Sequence, residues 1–313
     1  MTLTAKKVKI SRNGRTGLLK PEAIREGTVQ SFDGTKIAYR SVGKGEQTLI
    51  CCNGLGVSTF FWTYLERAFR DSHRVITWDY RGHGKSELKG NPKHYNIDAL
   101  VKDCKAVVDK LELKKPIFIG HSLGVQITLE FYRRWSEKMG AIVSCYGSPG
   151  HPMDNFFNMR ISRTLFRIVH TLGTLFPKES NLISKFLLKN PLSFWLGGLL
   201  KITNIGMVSR KDADRYIDHI LNVDPLFFTM LLKSAQDHTA EDILREIKIP
   251  TLIIAGEHDQ FTPMWLSKKM HRLIPKSEIL VMQKATHAGL VEQPDLINLR
   301  IEKFIRERVG LKK

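Results

Sequence analysis

The residues with most chemical content in this chain are Gly120-His121-Ser122-Leu123-Gly124, a serine set between small residues. A hydroxyl is a poor nucleophile at neutral pH, so such a serine works only if a base takes its proton and an acid holds that base in one tautomer. Both partners follow. Asp259 closes the run that begins at Thr251, and His287 lies in the small-residue stretch between Lys284 and Gly289. In that order a carboxylate and an imidazole could orient and deprotonate the serine hydroxyl for nucleophilic attack.

Chance alone supplies a Gly-x-Ser-x-Gly in roughly a tenth of chains this long, so position has to carry the argument. Each residue also has a structural reading: Ser122 as a helix cap, Asp259 as a turn residue, His287 as a satisfied loop histidine. What singles them out is the element before each. The motif follows the strand-like Pro116 to Ile119 and opens a helix-like segment from Leu123 to Trp135, the strand-turn-helix setting a strained nucleophile turn requires. Asp259 and His287 each follow a later apolar run, Thr251 to Ala255 and Ile279 to Met282. His258 adjoins Asp259 in the same loop, so it would leave the later site unexplained.

The remaining elements form a pattern. Asp33-Gly34 between Thr28 to Gln30 and Lys36 to Tyr39 predicts an antiparallel hairpin. Apolar runs at Thr48 to Cys52, Arg74 to Trp78 and Ala141 to Cys145 alternate with helical stretches at Phe60 to Phe69 and Ile97 to Leu111. That alternation predicts a buried, mostly parallel sheet flanked by helices, an α/β fold. After Ser148-Pro149-Gly150 the strand signal vanishes for about a hundred residues, which reads as a helical insertion. The expected organisation is a basic arm over 1–27, a core over 28–150 and 240–313, and a helical cap over 151–239. Pro294 to Glu307 should close the chain as an amphipathic helix.

With 313 residues, 42% hydrophobic and 26% charged, the chain is an ordinary globular protein with a sizeable core. Its net charge of +18, from 49 Lys and Arg against 31 Asp and Glu, favours anionic surfaces. No nucleic-acid-reading motif accompanies that charge, so no nucleic-acid partner is expected. Cys51, Cys52, Cys104 and Cys145 form neither a metal-type pair nor a secreted disulfide pattern, and predict reduced thiols in the cytoplasm. The histidines lack paired ligand spacing, so neither metal nor other cofactor is expected. Two nucleotide-site imitations fail on spacing: a P-loop ending in Gly84-Lys85-Ser86 would need glycine at Asp79, and a dinucleotide loop at Asn53 to Ser58 would need it at Thr59.

Taken together, these motifs resemble the α/β-hydrolase superfamily, particularly its capped esterase, lipase and carbon-carbon hydrolase branches. The segment Asp79-Tyr80-Arg81-Gly82-His83-Gly84-Lys85-Ser86 also resembles a turn common there. The resemblance implies Ser122 as nucleophile, His287 as base then acid, Asp259 as its partner, an acyl-enzyme that water then hydrolyses, and an oxyanion hole formed by the backbone N–H groups of Leu55 and Leu123. Asn53 stands where that superfamily generally carries histidine, which leaves the bonding of the oxyanion loop to be explained.

The insertion is rich in Phe156, Phe157, Leu165, Phe166, Leu172, Leu175, Phe176, Phe186, Phe194 and Trp195, and predicts a lipophilic pocket. Phe60, Phe61 and Trp62 would line its acyl side or fill the core. Arg160, Arg163, Arg167 and His170 recur at helical spacing beside an apolar face. The simpler expectation turns that face to the core and the charges to water; the alternative is a helix lying on an anionic membrane. The expected substrate is a small hydrophobic carboxylic ester, such as a medium-chain acyl ester or a monoacylglycerol-like lipid. Thioester hydrolysis, carbon-carbon hydrolysis and acyl transfer share the triad, and a non-catalytic receptor could share the fold.

Overall fold

The computed structural model describes residues 24–89, 91–154, 159 and 161–310, with the side chain of Pro191 left aside. Eight strands form one sheet: β1 (Ile24–Gln30), β2 (Lys36–Val42), β3 (Thr48–Cys52), β4 (Arg74–Trp78), β5 (Ile117–His121), β6 (Ala141–Cys145), β7 (Thr251–Gly256) and β8 (Ser277–Met282). Their spatial order is β1-β2-β4-β3-β5-β6-β7-β8. The β1–β2 and β2–β4 pairs are antiparallel, and every later pairing is parallel.

The inner strands β3, β5, β6 and β7 are buried along their whole length and mostly apolar because both faces are covered. Ile50, Ile76, Phe118, Ile142 and Ile253 point to one side, against α2 (Ile97–Lys110), α3 (Leu123–Trp135) and α8 (Pro225–Asp237). Their neighbours Leu49, Val75, Ile117, Val143 and Leu252 point to the other, against α1 (Thr63–Phe69) and α11 (Pro294–Phe304). This period-two division of the strands produces two apolar layers. The chain ends its described part in a short π-helical turn, Ile305–Val309.

β1 starts before position 28: residues 24 to 27 already pair with Tyr39 to Val42. The core therefore takes in the last residues assigned to the basic arm, and the rest of that arm lies outside the described residues. The reason is local. Ile24, Arg25, Glu26 and Gly27 lack apolar alternation, so they join the sheet through backbone bonds that leave no periodic signal.

Between β6 and β7 come five further helices, α4 (Ser162–Leu175), α5 (Pro177–Leu188), α6 (Pro191–Leu199), α7 (Arg210–Asn222) and α8. The segment's two ends are tied at its base by an antiparallel bridge between Gly150 and Thr239 and by the Ala240 amide donating to the Pro149 carbonyl at 2.8 Å. α7 and α8 are anchored to the body. His219 Nδ1 donates to the Gly56 carbonyl at 2.9 Å, Tyr64 donates to Asp212 at 2.9 Å, and Phe227 is fully buried against Tyr95 and His83.

α4 corrects the simpler expectation. It packs on α8 through Phe166 and Gly173, whose α-carbon faces Thr229, while Leu165, Ile168, Val169, Leu172 and Leu175 are exposed. Because α8 already covers that side of the sheet, no core surface is left for the stripe. Arg163 and Arg167 are exposed as well, whereas Phe156, Phe157 and Arg160 lie outside the described residues.

Candidate active site

β5 delivers the Gly120-His121-Ser122-Leu123-Gly124 motif to the carboxyl edge of the sheet, and α3 begins one residue after Ser122. At the turn Ser122 adopts φ 53° and ψ −116°, a conformation that costs a non-glycine residue of order 1–3 kcal/mol and persists only where its surroundings enforce it. The Ser122 amide donates to the Cys145 carbonyl at the end of β6 (3.0 Å), and its own carbonyl accepts from the Val125 amide at 3.0 Å. Close packing explains the glycines on either side. A β-carbon at Gly124 would come within 2.1 Å of the Cys52 carbonyl oxygen, and one at Gly120 within 2.6 Å of the Gly124 oxygen.

The structure brings Ser122, His287 and Asp259 together in one hydrogen-bonded chain. His287 Nε2 lies 2.9 Å from Ser122 Oγ, and His287 Nδ1 lies 2.9 Å and 3.1 Å from the two Asp259 oxygens. A carboxylate only accepts, so Nδ1 carries the proton and Nε2 is left to accept from the serine hydroxyl. Asp259 is buried, and its desolvation is offset by the Phe261 and Thr262 amides, both at 2.9 Å, and the Thr262 hydroxyl at 2.8 Å. The two loops are also tied to each other, since the His258 amide donates to the Ala285 carbonyl at 2.9 Å. His258 itself lies in the wall of a neighbouring cleft.

Several supporting residues were not foreseen. Phe261 stacks on the His287 ring at 4.9 Å and 27°. The Phe261 amide lies two residues after Asp259, the Asx-turn spacing, and the Thr262 amide and hydroxyl follow one residue later, a short-range pattern readable in principle from the sequence. Glu292 accepts from the Thr286 amide at 2.9 Å and its hydroxyl at 2.6 Å, bracing the residue before His287. His121 is buried beside the site, and its Nε2 donates to the His287 carbonyl at 3.1 Å. Burial, followed by the nearby His287 ring, pushes the His121 pKa down to about 3. A neutral His121 thus steadies His287 without placing a positive charge next to it.

The Asn53 departure has a local explanation. Its Nδ2 donates to the Trp78 carbonyl at 2.7 Å, and its Oδ1 accepts from Trp62 Nε1 at 2.6 Å. Tyr80 donates to the Asn53 carbonyl at 2.5 Å, and the Gly56 amide donates to His83 Nε2 at 3.2 Å. A fully buried amide therefore pins the loop that carries Leu55. That loop passes beside Ser122: a β-carbon on Gly54 would sit 3.3 Å from Ser122 Cβ. Leu123 opens α3, where its amide has no carbonyl one turn back to bond. Phe61 and Trp62 are core residues, and Phe61 packs on His121 at 4.6 Å. Phe60 instead meets α7, with the Arg215 guanidinium 4.5 Å from its ring centre.

The Asp79 to Ser86 segment is scaffold. The Asp79 carboxylate accepts from the Thr59 amide at 3.1 Å and the Lys85 amide at 2.9 Å, fixing the loop after β3 against the loop after β4. Arg81 makes a two-pronged pair with buried Asp103 at 2.8 and 2.6 Å and reaches Asp33 at 2.8 Å.

A strand-end serine, a histidine and an aspartate on an eight-stranded sheet agree with the match of residues 47–294 to the alpha/beta hydrolase fold family. The chain belongs to that family. Among its relatives, this hydrolase is 26% identical over 291 residues to the uncharacterized hydrolase YugF of Bacillus subtilis, covering 90% of this chain and 98% of that one. It is also 26% identical to a 2-hydroxy-6-oxononadienedioate/2-hydroxy-6-oxononatrienedioate hydrolase of Escherichia coli, covering 86% and 91%. An esterase from Exiguobacterium antarcticum shares its fold with a TM-score of 0.75 at 17% identity, covering 90% and 99%. Among the described residues no group of histidine, cysteine and acidic side chains could hold a metal ion, and no helix is long and apolar enough to cross a membrane.

Proposed function

We propose that this hydrolase cleaves a hydrophobic carboxylic ester through a Ser122 acyl-enzyme. The observation that carries the reading is the unbroken contact from Ser122 Oγ through His287 to buried Asp259, each step 2.9 Å. His287 Nε2 takes the serine proton as Oγ bonds to the ester carbonyl carbon, and returns it to the departing alkoxide as the tetrahedral adduct collapses. Water then repeats the sequence on the acyl-enzyme. Asp259 holds the imidazole tautomer throughout. In this reading the amides of Leu55 and Leu123 meet the oxyanion, with the positive end of α3 adding to the second.

α4–α8 serve as the cap. A cleft of about 420 Å³ reaches Thr286 and His258, the sequence neighbours of His287 and Asp259; Trp195, Leu199 and Ile205 give it an apolar wall for such a substrate beside polar Lys201, Thr203 and Asn204.

The test is a chain-length series of p-nitrophenyl esters with wild type and Ser122→Ala, beside labelling by a fluorophosphonate. Wild type should hydrolyse medium chains and take the label at Ser122, and the variant should lose about a thousandfold or more in kcat. Absence of hydrolysis across the series overturns the ester reading; a variant at full rate removes Ser122 from the role of nucleophile. The Escherichia coli relative favours a second reading, hydrolysis of a carbon-carbon bond beside a carbonyl with the same three residues. A wild type that labels at Ser122 yet turns over a vinylogous diketone faster than any ester decides for it.

A further inference from the structure

α4, α5 and α6 share a property that no other part of the described structure shows to this degree. On each, the apolar side chains fall at helical spacing and face solvent: Leu165 and Leu172 on α4, Leu182 and Phe186 on α5, Leu192 and Leu199 on α6. Leu182 is 70% exposed, and Phe186 and Leu199 are each 79% exposed. Of the 24 large apolar side chains exposed among the described residues, 18 lie between Met159 and Leu200. Patches on this scale mark an interaction surface in a folded protein.

Charge selects the partner. Residues 159 to 201 contain seven lysines and arginines and one acid, Glu179. Arg163 reaches Asp154 at 3.6 Å and Lys189 reaches Asp218 at 3.1 Å, while Arg167, Lys178 and Lys185 make no ion pair among the described residues. Burying this face against a second copy would bring two such cationic segments together in a chain whose net charge is already +18. A bilayer carrying anionic headgroups accepts both components: acyl chains take the leucines and phenylalanine, and phosphates take the flanking cations.

We propose that the exposed faces of α4, α5 and α6 dock this protein on an anionic lipid surface. Trp195 and Leu199, on the last of these helices, also line the cleft whose other wall includes Thr286 and His258. The docked face therefore runs into a cleft walled by the residues that precede His287 and Asp259, and an apolar ester dissolved in the bilayer reaches that cleft without crossing water. Docking stands independently of the ester reading, since it needs neither Ser122 nor turnover.

The full chain is sedimented with vesicles of phosphatidylcholine alone and of phosphatidylcholine containing about 30 mol% phosphatidylglycerol. Binding to the anionic vesicles should exceed binding to the neutral ones by about tenfold at low salt and fall as salt is raised. Leu172→Glu with Leu182→Glu and Phe186→Glu should abolish it while circular dichroism and hydrolysis of a soluble short-chain ester stay unchanged. Arg167→Gln with K178Q and K185Q should remove the preference for anionic vesicles alone. Equal and negligible sedimentation with both vesicle types overturns the proposal, as does a glutamate variant that binds like wild type. So does a concentration-dependent dimer in light scattering that the glutamates dissociate and that does not bind vesicles, because the face then belongs to a second copy.

Discussion

Two amphipathic helices of nearly equal length meet opposite fates in this protein. α3, directly after Ser122, buries ten of its thirteen residues; α4 buries three of fourteen. α3 packs so closely on the end of β3 that a β-carbon on Gly124 would strike the Cys52 carbonyl. α4 rests on another helix, and its apolar stripe meets solvent. Ser122 is thus mounted at the head of a helix that is buried along most of its length, where rigid positioning counts, while α4 presents most of its residues to solvent and is free to receive an apolar surface.

The largest expected effect sharpens the packed side of this contrast. Asp259→Asn should lower kcat about ten thousandfold with the fold intact, because an amide facing His287 Nδ1 can donate as well as accept and so admits the wrong tautomer. Steady-state kinetics beside thermal unfolding reads it. A loss below tenfold would move the orienting role to Thr262, whose hydroxyl lies 3.5 Å from His287 Nδ1. Next comes Phe131→Ala. This α3 side chain is fully buried against Phe118 at 4.7 Å and Trp135 at 5.0 Å, so urea unfolding should record a loss of about 3–5 kcal/mol.

Acid should act on the same packed region. Burial holds the pKa of His83 down to about 4 and that of His121 down to about 3. In the unfolded chain both rings bind a proton near pH 6.5, so between that value and their folded pKa values the unfolded state holds more protons. Stability therefore falls as pH drops below 6.5, by about 1.4 kcal/mol per pH unit for each ring, until each reaches its folded pKa. His83→Gln should flatten the upper part of that slope, which denaturant melts between pH 7 and pH 4.5 would follow. A slope unchanged by the substitution would assign the acid sensitivity to other groups.

The same division decides how much was readable from the residues. Inner strands buried on both faces announce themselves as short apolar runs, and β3, β4 and β6 begin and end where those runs do. The serine, aspartate and histidine were legible because each follows such a strand. Their supports were not. His121 braces the carbonyl of His287, 166 positions away, and Asn53 holds Trp62 and Trp78 across separate elements; contacts of that kind have no local signature. Periodicity in α4 identified an apolar face correctly but is silent on what lies opposite. That depends on whether the sheet still has surface to offer, and α8 had already taken it.

The smallest effect tests that last point most directly. Leu172, half exposed on α4, has the same residue type and helical setting as side chains that stabilise a core, so sequence alone would assign its truncation a cost near that of a buried leucine. If water is its only neighbour across the stripe, Leu172→Ala should change the unfolding free energy by no more than about 0.5 kcal/mol. A cost of about 2 kcal/mol or more would mean that the stripe is buried in solution, either beneath a second copy or by the helix turning inward over the cleft. The comparison between α3 and α4 would then collapse. A near-zero cost in buffer, joined to a higher unfolding temperature for wild type than for Leu172→Glu only when anionic vesicles are added, would show the stripe being completed by lipid, since a ligand stabilises only the state that binds it.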